Sequence, residues 1–180
     1  MKRFFPAAIL VACFTGCAGY HIGSVKPYYL RDVHTIAVPT FKNNTLVPRI
    51  EVLITDTVIK QFQQDGTYRI VGDDEADAIL KAAIVGISRA QARSVTGNVL
   101  ATEEFNFTLR VRYSLINRAD GTVLAPSATV SGSTSFFVSS NIITNGQQAV
   151  SDIVTDERQA FPLATEDLAT HLVSALSEGW

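Results

Sequence analysis

The stretch from residue 105 to residue 115 restricts the fold more than any other part of the sequence. Its odd positions hold Phe, Phe, Leu, Val, Tyr and Leu, and its even positions hold Asn, Thr, Arg, Arg and Ser. Because successive side chains of a strand point to opposite faces, this alternation predicts a long strand with one apolar face and one polar face. One face of a sheet must therefore be buried, and the other meets water or a partner.

The neighbouring sequence predicts further strands and two helices. Strands are predicted at 33–41, 68–71, 78–88 and 122–138, and Asp120-Gly121 predicts the hairpin turn before the last of them. Apolar residues recur at helical spacing from Pro48 to Gln64 and again from about Ser151. Two amphipathic helices can cover the apolar face. The prediction is an α+β two-layer sandwich, with two helices packed on one face of a mostly antiparallel sheet of four to five strands.

Two kinds of local irregularity are expected within these elements. Pro126 and Gly132 predict β-bulges in the last strand. Pro162 lies inside the last helical pattern and is expected to kink that helix or divide it in two. The segment from Ser139 to Gln148 is polar and is predicted to be a loop.

The N-terminus has the layout of a secretory signal. Lys2 and Arg3 precede an apolar run from Phe4 to Phe14, which is too short to cross a hydrocarbon core of about 30 Å. The following Thr15-Gly16-Cys17 resembles a bacterial lipobox. This resemblance implies cleavage after residue 16 and lipid on the sulfur and the amine of Cys17.

Two alternatives to lipidation at Cys17 exist. Phe14 stands where the lipobox has an aliphatic residue, whereas Leu10-Val11-Ala12-Cys13 matches the box letter by letter, although cleavage there would leave a very short apolar segment. A disulfide between Cys13 and Cys17 is the other alternative. With cleavage before Cys17, the chain divides into a signal peptide (1–16), a lipidated tether (17–32) and a single α+β domain (33–180). Ala18 after the cysteine favours sorting to the outer membrane.

Charge and cysteine content exclude several classes of protein. The formal net charge is −2, and removal of Lys2 and Arg3 makes the mature chain more acidic, which argues against nucleic-acid binding. Once Cys17 is acylated, no thiol remains for a zinc site or a nucleophile. The sequence therefore predicts no metal and no cofactor other than the covalent lipid.

Catalysis is also disfavoured by the sequence. The histidines are His21, His34 and His171, and none stands in a recognisable catalytic motif. Glu103 and Glu104 are adjacent on a predicted strand, so their side chains point to opposite faces and do not form a carboxylate pair. No catalytic residue is assigned, and the chain is predicted not to be an enzyme.

Arginines supply the candidate binding residues. Arg110 and Arg112 project from the polar face of the alternating strand, and Arg89 and Arg93 lie at or beyond the end of the preceding strand. If paired strands bring these four together, they form a cationic patch suited to phosphate groups. The alternative is a solvated face whose arginines meet acidic cross-strand partners.

Several segments, in order and spacing, resemble the LptE family of lipopolysaccharide-assembly lipoproteins. They are Cys17-Ala18-Gly19-Tyr20-His21, Ile36-Ala37-Val38-Pro39-Thr40-Phe41-Lys42-Asn43, Pro48-Arg49-Ile50-Glu51, Gln64-Asp65-Gly66-Thr67-Tyr68, Ala76-Asp77-Ala78 and Leu168-Ala169. The resemblance covers nearly the whole mature chain.

The resemblance implies a periplasm-facing lipoprotein held in the inner leaflet of the outer membrane by its lipid anchor. Such a protein plugs an LptD-type β-barrel, assists the assembly of that barrel, and contacts lipopolysaccharide on its way to the cell surface. The polar strand face and the loop from Ser139 to Gln148 would then meet the barrel interior. The alternative function is a lipid-anchored periplasmic adaptor or binding module of an unrelated transport system.

Overall fold

The computed structural model describes residues 26–93, 102–139 and 153–178. The predicted signal peptide, both cysteines and His21 lie outside the described residues, as does the predicted loop from Ser139 to Gln148 apart from Ser139 itself. A turn of 3-10 helix spans Tyr28–Leu30. The remaining elements are β1 (Thr35–Ala37), β2 (Lys42–Asn43), α1 (Ile50–Asp65), β3 (Arg69–Ile70), β4 (Ala78–Arg93), β5 (Thr102–Asn117), β6 (Val123–Ser139) and α2 (Ile153–Ser177).

The predicted two-layer α+β sandwich is confirmed, but its sheet is mixed. Six strands are present among the described residues, in the order β3-β1-β4-β5-β6 with β2 also beside β4. The three long strands β4, β5 and β6 are antiparallel. Strand β1 pairs in parallel with both β3 and β4, and β2 pairs in parallel with β4. The strand predicted at 33–41 pairs only at Thr35–Ala37 and has ended before Pro39. A second short strand, Lys42–Asn43, follows the predicted range and raises the count above the predicted four to five. The segment that contains helix α1 connects β1 to β3, and neighbouring parallel strands need a crossover connection of this kind.

The apolar face of β5 lies under the helices, as its alternation predicts. Phe107, Leu109, Val111 and Leu115 are fully buried. From the other layer, α2 contributes its predicted stripe, and Ala164, Leu168 and Leu172 are fully buried while Phe161 packs against the core. Because both helices cover this face, the opposite face of the long strands is left open.

The expected irregularities are only partly confirmed. A register shift separates the pairs Tyr113–Ala128 and Leu115–Ala125, so the bulge predicted at Pro126 is present. The bulge predicted at Gly132 is wrong, because this glycine stands in regular register in β6.

A kink or a division of the last helix is expected at Pro162, and the division is wrong, because α2 continues through this residue as one helix. Pro162 is exposed, while Phe161 packs against the core and Ala164 is buried within it. A proline removes one helical hydrogen bond. Packing of the residues on either side holds the helix together across that loss.

Asp77 fixes the start of the central strands. Its Oδ2 accepts hydrogen bonds from the backbone N–H groups of His34 and Thr35, each at 2.9 Å. These two hydrogen bonds, first that of His34 and then that of Thr35, lower the pKa of the Asp77 carboxyl. A carboxyl with a lowered folded-state pKa stabilises the fold above its unfolded-state pKa and loses that contribution as the pH falls through the folded-state value.

We therefore expect Asp77→Ala to destabilise the protein at neutral pH by about 1 kcal/mol, the usual contribution of an intramolecular hydrogen bond. The difference from wild type should shrink as the pH falls below 3.8, the ordinary value for this group. Urea unfolding at pH 7 and at progressively lower pH measures both effects. Asp56→Ala on the exposed surface of α1 is the control and should cause no such loss. A deficit for Asp77→Ala that stays constant into acid would contradict this account.

Candidate functional site

The open face is the sheet surface opposite the two helices. On β5 it comprises the residues that alternate with the buried ones, namely Asn106, Thr108, Arg110, Arg112 and Ser114. All five are exposed or half-buried. In β6, the register partners of Asn106, Thr108, Arg110 and Arg112 are Ser135, Ser133, Ser131 and Thr129, respectively. This part of β6 is therefore uncharged and polar.

A groove of about 560 Å³ lies on the open face where β2, β4 and β5 meet. Three cations line it, Lys42 from β2, Lys81 from β4 and Arg112 from β5. Asp73 is the only carboxylate among the residues that line the groove. Within the described part of the chain, none of these three cations forms an ion pair with a carboxylate. The groove is therefore electropositive in an otherwise acidic protein.

Strand register fixes the spacing of two of these cations. Lys42 is in register with Ala83, and Ala83 is in turn in register with Arg112. The three residues form a row across neighbouring strands, so two strand spacings place Lys42 and Arg112 about 10 Å apart along the backbone. Ala83, the residue between them, has only a methyl side chain, so no large side chain separates the two cations. An anionic group can therefore approach both side chains.

Arg110 lies beside this groove. A Cβ atom built on Gly86, its register partner in β4, would stand 3.4 Å from Nε and 3.5 Å from Nη2 of Arg110. The guanidinium group thus lies over the glycine, along the sheet surface. The absence of a side chain at residue 86 leaves room for this flat arrangement.

The structure brings together only part of the predicted arginine patch. Arg110 and Arg112 share the open face, as predicted. Arg89 is in register with Phe107, which is buried on the helix face, so the backbone places Arg89 on the opposite side of the sheet from Arg110. Arg93 is in register with Glu104 at the far end of β4.

A bulge in β4 accounts for the position of Arg89. The register shifts between Ile84 and Gly86. Because side chains alternate strictly along a strand, one extra residue moves every later side chain to the other face. Odd-numbered residues such as Lys81 face the open side before the bulge, and even-numbered residues face it from Gly86 to Ala90. The register shifts a second time between Gln91 and Arg93. Gly86, a glycine inside the strand at the register shift, is the sequence signal that indicates this bulge.

Lys42 and Lys81 are site residues that the sequence reasoning missed. Lys81 interrupts an apolar strand, and this interruption is a signal that one face of β4 is accessible. Lys42 lies between the strand predicted at 33–41 and the helical pattern that begins at Pro48, and nothing in the sequence indicates that this segment pairs in parallel with β4.

The described histidines serve structural contacts. His34 Nδ1 lies 3.0 Å from the carbonyl oxygen of Asp32. His171 Nδ1 lies 3.0 Å from the carbonyl oxygen of Ser131 and 3.8 Å from the Asp167 carboxylate. Neither histidine lines the groove. Among residues 26–93, 102–139 and 153–178, no group of His, Cys, Asp and Glu is arranged to hold a metal ion.

Neither helix in the described ranges combines the length and the apolar character needed to cross a bilayer.

Comparison with known proteins identifies the family. The family model for LptE, described as lipopolysaccharide-assembly, matches residues 33–176. No curated protein sequence matches the chain significantly.

Solved structures share the fold at low sequence identity. A putative neuraminyllactose-binding hemagglutinin homolog from Helicobacter pylori is 13% identical with a TM-score of 0.51, and the match covers 89% of this chain and 93% of that one. A minor lipoprotein from Acinetobacter baumannii is 14% identical with a TM-score of 0.50, covering 81% of this chain and 93% of that one. At these identities, the likeness establishes the fold alone.

Proposed function

Since this chain belongs to the LptE family of lipopolysaccharide-assembly proteins, we propose that it is an outer-membrane lipoprotein that plugs an LptD-type β-barrel and helps deliver lipopolysaccharide to the outer leaflet. Members of this family are non-catalytic lipoproteins associated with the outer membrane, and membership supports a role in lipopolysaccharide assembly.

The anchor is the lipid on Cys17, added after cleavage of residues 1–16. It holds the domain at the inner leaflet of the outer membrane, facing the periplasm. No catalytic step is part of this role.

The open face is the surface that meets the barrel interior. The single observation that carries this assignment is the contrast between the two faces of the sheet, because one is sealed by both helices and the other presents exposed polar side chains on β5 and β6. A water-lined barrel offers polar partners to such a surface. The long strands β4, β5 and β6 supply the extended area that a plug requires.

The groove on the open face is the part that contacts lipopolysaccharide. Lys42, Lys81 and Arg112 are free of carboxylate partners among the described residues, so their charges are available to phosphate groups of the passing glycolipid. Arg110 adds a further guanidinium group beside the groove. Arg89 and Arg93 remain candidates for a separate contact with lipopolysaccharide or with the barrel.

We expect Arg112→Glu to weaken binding of lipopolysaccharide by about tenfold or more, since a hydrogen bond to a charged group contributes about 1.5–3 kcal/mol. Titration of the full-length chain in detergent with fluorescently labelled lipopolysaccharide measures the affinity. Lys60→Glu is the matched control, because it makes the same change of charge on the exposed surface of α1, on the other side of the molecule. Equal loss in the two variants would contradict a specific role for the groove.

The second candidate function is a periplasmic adaptor of an unrelated transport system. It would use the same lipid anchor and the same sandwich. The two functions differ in their partners, because only the first requires a stoichiometric complex with an outer-membrane barrel.

A further inference from the structure

Two tyrosines are held outward at the point where the described chain begins. In the 3-10 turn, Tyr28 is 80% exposed and Tyr29 is 53% exposed, whereas Leu30, the last residue of the turn, is fully buried. The buried leucine fixes the turn against the domain. The Arg31 guanidinium lies 4.7 Å from the centre of the Tyr28 ring. Two large amphipathic rings and a cation are therefore presented together on a fixed turn; we refer to Tyr28, Tyr29 and Arg31 as the tyrosine turn.

The path of the chain places the tyrosine turn close to the anchor. Lys26 is tied to the domain, because its Nζ donates a hydrogen bond to the carbonyl oxygen of Val33 at 2.8 Å and lies 4.8 Å from the centre of the Tyr68 ring. Lys26 follows Cys17 by nine positions in the sequence. Even fully extended, this length of chain spans at most about 30 Å. A domain anchored at Cys17 thus keeps this end within reach of the bilayer.

We propose that the tyrosine turn is a membrane-docking surface, which rests in the phospholipid headgroup region of the bilayer that holds the anchor. This inference rests on the lipid anchor of the proposed function and adds to it a defined orientation of the domain. Tyrosine is suited to this region because its ring is apolar and its hydroxyl group is polar. Arg31 provides a guanidinium group for lipid phosphates.

Docking at this turn fixes which end of the sheet faces the membrane. Tyr29 lines a recess together with Ala76, Asp77 and Arg118, next to the start of β4 and the turn between β5 and β6. The carboxylate of Asp77 is already engaged by two backbone N–H groups. Strand β4 therefore begins at the membrane side and runs away from it.

A fluorophore attached close to the turn tests the proposal. Asp32→Cys places a thiol in an exposed position one residue after Arg31 and leaves the tyrosine turn intact. The full-length lipidated protein, labelled at this thiol, is incorporated into vesicles of phosphatidylethanolamine and phosphatidylglycerol that contain a headgroup-labelled nitroxide phospholipid. Flotation of the vesicles reports the anchor, and quenching of the fluorophore reports the contact with headgroups.

Leu46→Cys is the matched control site. Leu46 is fully exposed and lies before the first residue of α1. Tyr68 lies after the last residue of that helix and contacts Lys26, which precedes the tyrosine turn in the sequence. Since α1 has 16 residues, its two ends are about 24 Å apart. A probe at residue 46 should thus remain away from the headgroups when the tyrosine turn is docked.

We expect strong quenching at residue 32 and weak quenching at residue 46. In the Asp32→Cys protein, the additional changes Tyr28→Ser and Tyr29→Ser should lower the quenching to the level seen at residue 46, while flotation is unchanged. Flotation with equal quenching at both sites, or quenching unaffected by the serine substitutions, would overturn the docking surface and leave the anchor standing. Failure of the full-length chain to float would overturn the anchor and the docking surface together.

Discussion

Replacement of Gly132 by alanine is expected to lower the free energy of unfolding by about 3 kcal/mol or more, because an added methyl group would collide with backbone atoms. A Cβ atom built at this position lies 2.2 Å from the carbonyl oxygen of Ala164 and 2.3 Å from the backbone nitrogen of Leu168. Both atoms belong to α2. A flexible side chain could turn away from such a clash, but here the helix itself must shift, and its buried stripe would lose contact with the core.

Chemical unfolding of the wild-type protein and of Gly132→Ala measures the difference in the free energy of unfolding, with Gly72→Ala as the control. A Cβ atom added at Gly72 would have no other atom within 4 Å, and the backbone there is not left-handed, so alanine should be neutral or slightly stabilising. If Gly132→Ala and Gly72→Ala gave the same unfolding midpoint, the close packing of α2 on β6 would be refuted.

The contact at Gly132 also protects the sheet. In the observed strand order β6 is an outer strand, and such edges are prone to pair with other chains. Helix α2 occupies this edge, because the backbone N–H of Ser133 donates to the Asp167 carboxylate at 2.8 Å and His171 Nδ1 lies 3.0 Å from the carbonyl oxygen of Ser131. The close approach that Gly132 allows places both side chains at the edge.

The sequence is sufficient to predict those parts of the fold that have a strong local period. The alternation in β5 predicts which side chains are buried, and the helical spacing from Pro48 to Gln64 predicts α1 to within two residues at either end. Turn chemistry predicts the hairpin at Asp120-Gly121, and Gly121 has the left-handed backbone that this turn uses. Each of these signals lies within a short window of the chain.

Features that depend on contacts distant in sequence are not predicted. The parallel pairing of β2 with β4 joins Lys42 to Ala83, and no local pattern reports such a contact. The bulge expected at Gly132 is wrong for the same reason, because this glycine accommodates helix residues, Ala164 and Leu168, that lie more than 30 positions away in the sequence.

The same distinction applies to the candidate site: features that follow from a local pattern are predicted, and features that depend on distant contacts are not. The polar face with Arg110 and Arg112 follows from alternation alone. Lys42 reaches the groove through parallel pairing, and Arg89 lies on the other face because of a single bulge. A one-residue shift moves each later side chain of a strand to the other face of the sheet. A patch that involves side chains of two strands can therefore be predicted only where the register of the strands is known.

Association with an outer-membrane barrel is the second large effect expected. A plug is a stoichiometric component of its barrel, so the two proteins should remain together through detergent extraction. In the proposed function, the exposed polar area along β5 and β6 is the contact surface, and the groove that Arg112 lines is the proposed glycolipid site within the same complex.

Affinity purification of the full-length chain from detergent-solubilised outer membranes, with mass spectrometry of the recovered proteins, tests this claim most directly. We expect a large barrel protein of the LptD type at close to one copy per copy of this chain. Recovery of the lipoprotein alone, or together with subunits of an inner-membrane transporter, would contradict the plug function and favour the adaptor.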